Sequence, residues 1–269
     1  MRIATFRPLV LAAIVAMAAG CTTSRFYTPN TMQIPMLSHA QEATITGGVS
    51  KSDENSAWEA QAIYSPLPHL GVMVNHFSLH YSGAAQTDSS PFSFSESDYE
   101  GDTRLTEGGI GGYYQLGPNK EYLVSLFAGF GQGHTENRYA SPPDLQNVET
   151  YISDWNYQRW FAQPSLALKY RRLQVGTALR FVWLNYFDGS INSRVGLLET
   201  DRIQLLESSS PMFLTEMAWS IGWRFRPMVL SLNSTAVVRG KDSIRELDLA
   251  SNFVSLSLGI NLHEIGKKK

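Results

Sequence analysis

Between Gln158 and Asn185 apolar and polar side chains alternate with a period of two, interrupted once at Arg171-Arg172. Trp160, Ala162, Pro164, Leu166, Leu168 and Tyr170 fall on one face of a first strand. Leu173, Val175, Thr177, Leu179, Phe181 and Trp183 fall on one face of a second. The opposite faces carry Gln163, Ser165, Ala167 and Lys169, then Gln174, Gly176, Ala178 and Arg180. Folding the strands back at the arginine pair sets Trp160 beside Trp183 and Gln163 beside Arg180, so the apolar faces coincide. An apolar face with tryptophans at one end and a tyrosine at the other, backed by a polar or small face, is how a strand pair reads with lipid outside and a polar interior within. Two-residue hairpins favour residues that tolerate positive φ. Arg171-Arg172 does not offer them, so a longer turn is expected here.

The same period recurs along the chain, and ten strand segments are expected from about Glu42 onward. The first, Ala43–Val49, is weak; the second, Ala57–Tyr64, sets Trp58, Ala60, Ala62 and Tyr64 against Glu59 and Gln61. The third, Leu70–Tyr81, mixes its alternation, and its faces stay unassigned. The fourth, Arg104–Leu116, is rich in glycine, and the fifth, Glu121–Gly133, sets Tyr122, Val124, Leu126, Ala128 and Phe130 outward. After the hairpin come Phe213–Phe225, a segment around Leu230–Val238, and a last one, Val254–Leu262. A soluble sandwich would place Lys, Glu and Thr on its exposed faces; here the apolar face persists through the last six segments.

Connections alternate too. Those after segments two, four, six and eight are short, as in Pro66-Leu67-Pro68-His69, Gly117-Pro118-Asn119-Lys120 and Arg226-Pro227. Those after three, five and seven are long and polar, such as Ser82–Thr103 and Asp188–Ser210. Short turns on one side and long loops on the other mark outer-membrane barrels. The fold class expected is therefore all-β: a transmembrane, antiparallel, up-and-down barrel of about ten strands over residues 42–262. Ten is even, so both barrel ends lie on the short-turn, periplasmic side.

The chain has 269 residues and one cysteine. Arg2 and Arg7 precede an apolar run from Pro8 to Ala19, too short for the roughly 20 residues a spanning helix needs. With Ala18-Ala19-Gly20-Cys21 behind it, the run reads as a signal peptide over residues 1–20, and the site resembles a lipoprotein cleavage box with Cys21 acylated. Residues 21–41 read as a periplasmic tether and 263–269 as a basic tail. Thr22 in place of an aspartate favours the outer membrane, and Thr22-Thr23-Ser24-Arg25 lacks an acidic export cluster, so the lipid is expected in the periplasmic leaflet. Without the signal, 20 basic residues face 24 acidic ones, with no basic stripe to suit nucleic acid.

Candidate chemistry is sparse. Glu59, Glu107, Lys169, Arg180, Glu216 and Arg224 point inward, and Arg180–Glu216 is the expected interior ion pair because their strands are neighbours. His76 and His80 share a face but stand about 13 Å apart along a strand, too far for one metal. His134 and Glu136 lie at a barrel rim, where a surface site could form. No nucleophile elbow, phosphate loop or dinucleotide fingerprint occurs, and Gly129-Phe-Gly-Gln-Gly133 lies within a strand. With Gly109 and Gly111 these glycines thin the inner wall, and a bulky group from the tether or a loop is expected to fill the space. The outer loops carry aromatics and acids (Phe92, Phe94, Glu96, Asp98, Tyr99 and Glu100 in one, Tyr139 to Trp155 in another), a place for binding.

Four stretches resemble a group of small outer-membrane lipoprotein barrels of unassigned function, porin-like or OmpA/OmpX-like. They are Tyr27-Thr-Pro-Asn30 with Pro35, Tyr64-Ser-Pro-Leu-Pro-His-Leu-Gly-Val-Met-Val-Asn75, Glu107-Gly-Gly-Ile-Gly-Gly-Tyr-Tyr114 and Phe127-Ala-Gly-Phe-Gly131. The resemblance implies a barrel and supplies no activity or substrate; the chain departs from typical barrels in lacking a terminal aromatic residue. The expected role is structural or binding, as a surface receptor or a subunit of an envelope complex, without catalysis. Membrane lipid and an envelope protein are the expected partners, and no cofactor is expected beyond the lipid on Cys21. A narrow channel for small solutes is the alternative, and a rim hydrolase using His134 and Glu136 a third class.

Overall fold

The computed structural model describes residues 27–51, 55–85, 97–139, 151–191, 197–238 and 252–265. Ten antiparallel strands close into one barrel: β1 (Ala43–Lys51), β2 (Asn55–Leu67), β3 (Leu70–Ala85), β4 (Ser97–Leu116), β5 (Tyr122–Tyr139), β6 (Tyr151–Tyr170), β7 (Leu173–Ile191), β8 (Met212–Phe225), β9 (Met228–Val238) and β10 (Asn252–Asn261). Each strand pairs with its neighbours in sequence, and β1 closes the ring against β10, as in Ile45 opposite Ile260. Closure leaves no unpaired strand edge, which is the condition for a sheet to sit in hydrocarbon. The ten-stranded barrel read from alternation is the fold observed.

The alternation is realised strand by strand. Trp160 stands opposite Trp183, and both are largely exposed, whereas Gln163 and Arg180 are fully buried within. Outside, Phe130, Trp160, Trp183 and Phe213 form an aromatic row at one end of the apolar band. Tyr64, Tyr114, Tyr122, Tyr170, Trp223 and Phe225 lie near the short turns at the other end. Trp160 and Tyr170 are ten residues apart on one strand, about 25 Å along the barrel axis once strand tilt is allowed for, matching the apolar band of an outer-membrane barrel. Leu166, Leu126, Leu179 and Ile110 fill the band between the rows.

The wall is uneven. β4, β5 and β6 reach six or seven residues beyond the expected segments, because above the upper aromatic row their outer faces are largely polar and the apolar–polar alternation is lost. His80 meets Asp102 there at 3.2 Å, His134 meets Asn156 at 3.1 Å, and Arg138 pairs with Glu136 at 2.7 Å. On the opposite side β1, β9 and β10 are only 9 to 11 residues long.

Two turns differ from expectation. Tyr170 pairs directly with Leu173, so the Arg171-Arg172 turn has two residues after all, with Arg171 itself in the left-handed region at φ 55°. Within the expected loop Asp188–Ser210 a helix forms over Leu197–Ser208. A bulge opposite Asp154–Asn156, with Asp188 at φ 53°, shifts the face of β7 by one residue. Gly189 now looks inward, and Ile203 of the helix packs where its side chain would be.

Candidate functional site in the barrel lumen

The stretch expected to hang below the barrel as a tether is, from Tyr27 onward, inside it. Tyr27 to Pro35 and Leu37 are buried in the lumen, before the chain leaves through the short-turn mouth at Ser38–Gln41 and turns into β1. The wall holds this segment by side chains. Gln163 donates to the Gln33 carbonyl at 2.8 Å, Gln61 to the Thr31 carbonyl at 2.9 Å, and Thr31 meets Ser255 at 2.8 Å. At the mouth Lys169 donates to the Met36 carbonyl and to Ser38 at 2.6 Å, while Glu42 accepts from the Ser38 amide at 2.5 Å and the Asn261 amide group at 2.7 Å.

The glycines of the inner wall make this packing fit. A side chain at Gly176 would meet Ile34 at 2.8 Å, and one at Gly71 would meet Leu37 at 3.0 Å. At Gly129 and Gly133, where an incoming group was expected, the space is taken by Phe161 and Tyr157 of β6. The segment therefore occupies part of the glycine-lined volume, and neighbouring strands fill the rest.

At its upper end the segment completes a charged cluster. Arg159 pairs with Glu107, with Nε at 2.9 Å from Oε2; Arg180 lies 3.3 Å from Glu107 and 3.9 Å from Glu216. Arg159 also stands 3.9 Å from Glu216, and all four side chains are fully shielded from solvent. Two cations and two anions balance, which is what makes their burial tolerable. The segment contributes two residues. Tyr27 donates its hydroxyl to Glu216 and accepts from Arg159 at 2.7 Å; Asn30 accepts from Arg159 at 2.5 Å and Arg180 at 3.1 Å and donates to Glu107 at 3.2 Å. Gln163 fixes Arg180 at 2.9 and 2.6 Å, and Asn75 donates to Glu107 at 2.8 Å.

The residues singled out from sequence thus divide. Arg180 and Glu216 are cross-strand partners, and Glu107 joins them. Glu59 does not: it is buried on another part of the wall, accepting from Ser255 at 2.8 Å, and among the described residues no cation pairs with it. Arg224 is also outside the cluster. It sits at the short-turn mouth, 3.8 Å from Glu264 and donating to the Arg171 carbonyl at 3.1 Å, because it lies only two residues before the turn that starts at Arg226. Arg159, Tyr27 and Asn30 are cluster members that the sequence pattern does not mark. Arg159 keeps the inward parity of Gln163, but its neighbours Gln158 and Asn156 are already polar, so the alternation that marks a face has faded.

Below the cluster a cleft of about 150 Å³ opens to the short-turn mouth between the segment and the β8–β1 wall, flanked by Lys169, Glu42, Arg224 and Glu264. It has room for a few waters. His76 faces outward, its ring tilted against Trp58 at 5.0 Å and bonded to Thr106 at 2.8 Å. His134 and Glu136 engage different partners, Asn156 and Arg138. No group of three or more metal-ligating side chains is found among the described residues. The aromatic and acidic loop residues Phe92, Phe94 and Glu96 lie outside the described residues, as does Cys21.

The lumen and its wall define a closed, ten-stranded antiparallel barrel with a lipid-facing exterior and its own chain in the bore. Comparison with solved structures returns barrels of the outer membrane. The chain is similar to a major outer membrane protein from Thermus thermophilus at 11% identity, over 83% of this chain and 100% of that one, with a TM-score of 0.44. It is similar to the outer membrane protease OmpT from Escherichia coli at 8% identity, over 83% and 94%, with a TM-score of 0.45. An outer membrane channel from Pseudomonas putida matches at 9% identity, over 87% and 98%, with a TM-score of 0.34. At these scores the barrel rests on its own pairing, and none of the three lends it an activity. No family model matches the chain, and no curated protein matches it.

Proposed function

We propose that this chain is a lipoprotein of the outer membrane, acylated at Cys21, whose barrel is closed by its own N-terminal segment and serves as a scaffold or receptor. In this reading it catalyses nothing, needs no cofactor beyond the lipid, and engages an envelope protein or surface ligand through its long loops. One observation carries the proposal: Tyr27–Leu37 fills the bore and locks into a charge cluster fully shielded from solvent. A pore needs a hydrated path, and at the level of the cluster the described side chains leave none. In planar bilayers the purified protein is expected to be silent; regular conductance steps from the intact chain would remove the proposal.

A second reading, the narrow channel, has one point in its favour. From Asn30 to Ser38 the segment is held largely by side-chain bonds, and it is not one of the ten strands of the barrel. If it is a plug, Glu216→Ala, which removes the acceptor of the Tyr27 hydroxyl, should convert silence into flickering steps.

A further inference from the structure

The direction of the lumenal segment can be read residue by residue against β6, which descends from the long-loop side to the short-turn side. Tyr27 bonds Arg159, with its ring 6.4 Å from Tyr157; Asn30 bonds Arg159; Gln33 bonds Gln163; Ser38 bonds Lys169. The segment therefore runs parallel to β6, and its N-terminal end is the one farther from the short-turn mouth. Across the bore Thr31 meets Ser255 of β10 and Met32 meets Thr235 of β9, each three residues from the outer end of its strand. Four residues further back, Tyr27 is level with the outer ends of the described parts of β9 and β10.

From these positions we infer that the chain ahead of Tyr27 leaves the barrel through the long-loop mouth, so that the mature N-terminus lies on the cell-surface side. Reach decides the matter. Arg159 and Lys169 are ten residues apart on β6, about 25 Å along the axis after tilt. Six residues, from Cys21 to Tyr27, extend at most about 20 Å. Even pulled straight, they would not carry Cys21 back to the short-turn mouth, and the path down is filled by residues 28–37. In the other direction the same length extends beyond the outer ends of the described parts of β9 and β10. On this path acyl chains on Cys21 would enter the outer leaflet, in opposition to the expected lipid in the periplasmic leaflet. The threaded path also explains how a chain without an acidic export cluster could present its N-terminus outside. Both parts rest on the proposed reading of the leader: cleavage ahead of Cys21 sets the six-residue reach, and the acyl part needs modification of Cys21 as well.

The test uses the full chain in cells. An epitope inserted between Thr23 and Ser24 is expected to bind antibody on intact cells as fully as on permeabilised ones; binding only after permeabilisation would overturn the inference. Correct threading of the same chain is monitored by Thr31→Cys with Ser255→Cys, whose parent oxygens are 2.8 Å apart, a spacing a disulfide can span. If the insertion blocks that cross-link, Thr22→Cys is probed with a membrane-impermeant maleimide. Labelling of intact cells supports the path; labelling after lysis alone overturns it. Labelling in neither state overturns it as well, since the chain would then end inside the lumen. Metabolic labelling with a fatty acid separates the two parts: a surface epitope on an unacylated chain sinks the lipid reading and leaves the threading standing.

Discussion

Glu107 collects four donor residues: Asn75, Asn30, Arg159 and Arg180 all reach it. Glu216 is less well served, with the Tyr27 hydroxyl on one oxygen and the other at ion-pair distance from Arg180 without a hydrogen bond. The two acids should therefore differ. Glu107→Ala strands two arginines beside a single carboxylate and is expected to cost about 3–5 kcal/mol, read as a lower midpoint of the heat-modifiable band on gels. Tyr27→Phe leaves the charges balanced and removes one hydroxyl shared between Arg159 and Glu216, an expected loss of about 1.5–3 kcal/mol. If Tyr27→Phe proved as damaging as Glu107→Ala, the balance of charge would not be what holds the cluster.

Elements are legible in the sequence where they have two different environments. A strand of the wall faces lipid on one side and protein on the other, and the period of two follows, which is why Trp160–Tyr170 and Leu173–Trp183 pair as their side chains indicate. The lumenal segment has protein on every side. Thr28, Asn30, Met32, Ile34 and Leu37 are all buried, so no period forms, and the stretch reads from sequence as a featureless tether. The upper parts of β4 to β6 fail the other way, with a polar outer face and an inner face that mixes polar residues such as Thr135 and Asn137 with the aromatics Trp155 and Tyr157. The Arg171-Arg172 turn is tighter than its residues suggest, because the registers of the two long strands set its length and leave Arg171 to bear the left-handed conformation. Arg171→Gly should relieve that strain and raise stability by about 1 kcal/mol in urea unfolding from micelles. At the other end of the same strand, Gly189→Val would collide with Ile203. That variant is expected to free the helix Leu197–Ser208 for proteolysis while leaving the barrel's gel mobility unchanged.

At the scale of the whole molecule, everything depends on what wets the outside. Leu166 sits between Trp160 and Tyr170, about midway across the apolar band, with roughly half its surface exposed; Gln158 is two residues above Trp160 on the same face, beyond the aromatic row. In water the two sites would treat an arginine alike, because neither touches the lumen. In a bilayer they would not: an arginine costs about 2–4 kcal/mol near the midplane and about 0–1 kcal/mol at the interface. Leu166→Arg and Gln158→Arg, unfolded by urea from the same liposomes, are therefore expected to differ by about 2 kcal/mol or more, roughly 30-fold in the equilibrium constant. The pair also controls for strand pairing, turn strain and lumenal packing, since both substitutions fall on β6 and on its outer face. Equal losses would mean that the leucine band between the aromatic rows is not in contact with hydrocarbon. The barrel would then have to stand in water with Trp160, Leu166 and Trp183 uncovered, which its stability could not sustain without a partner around the entire wall.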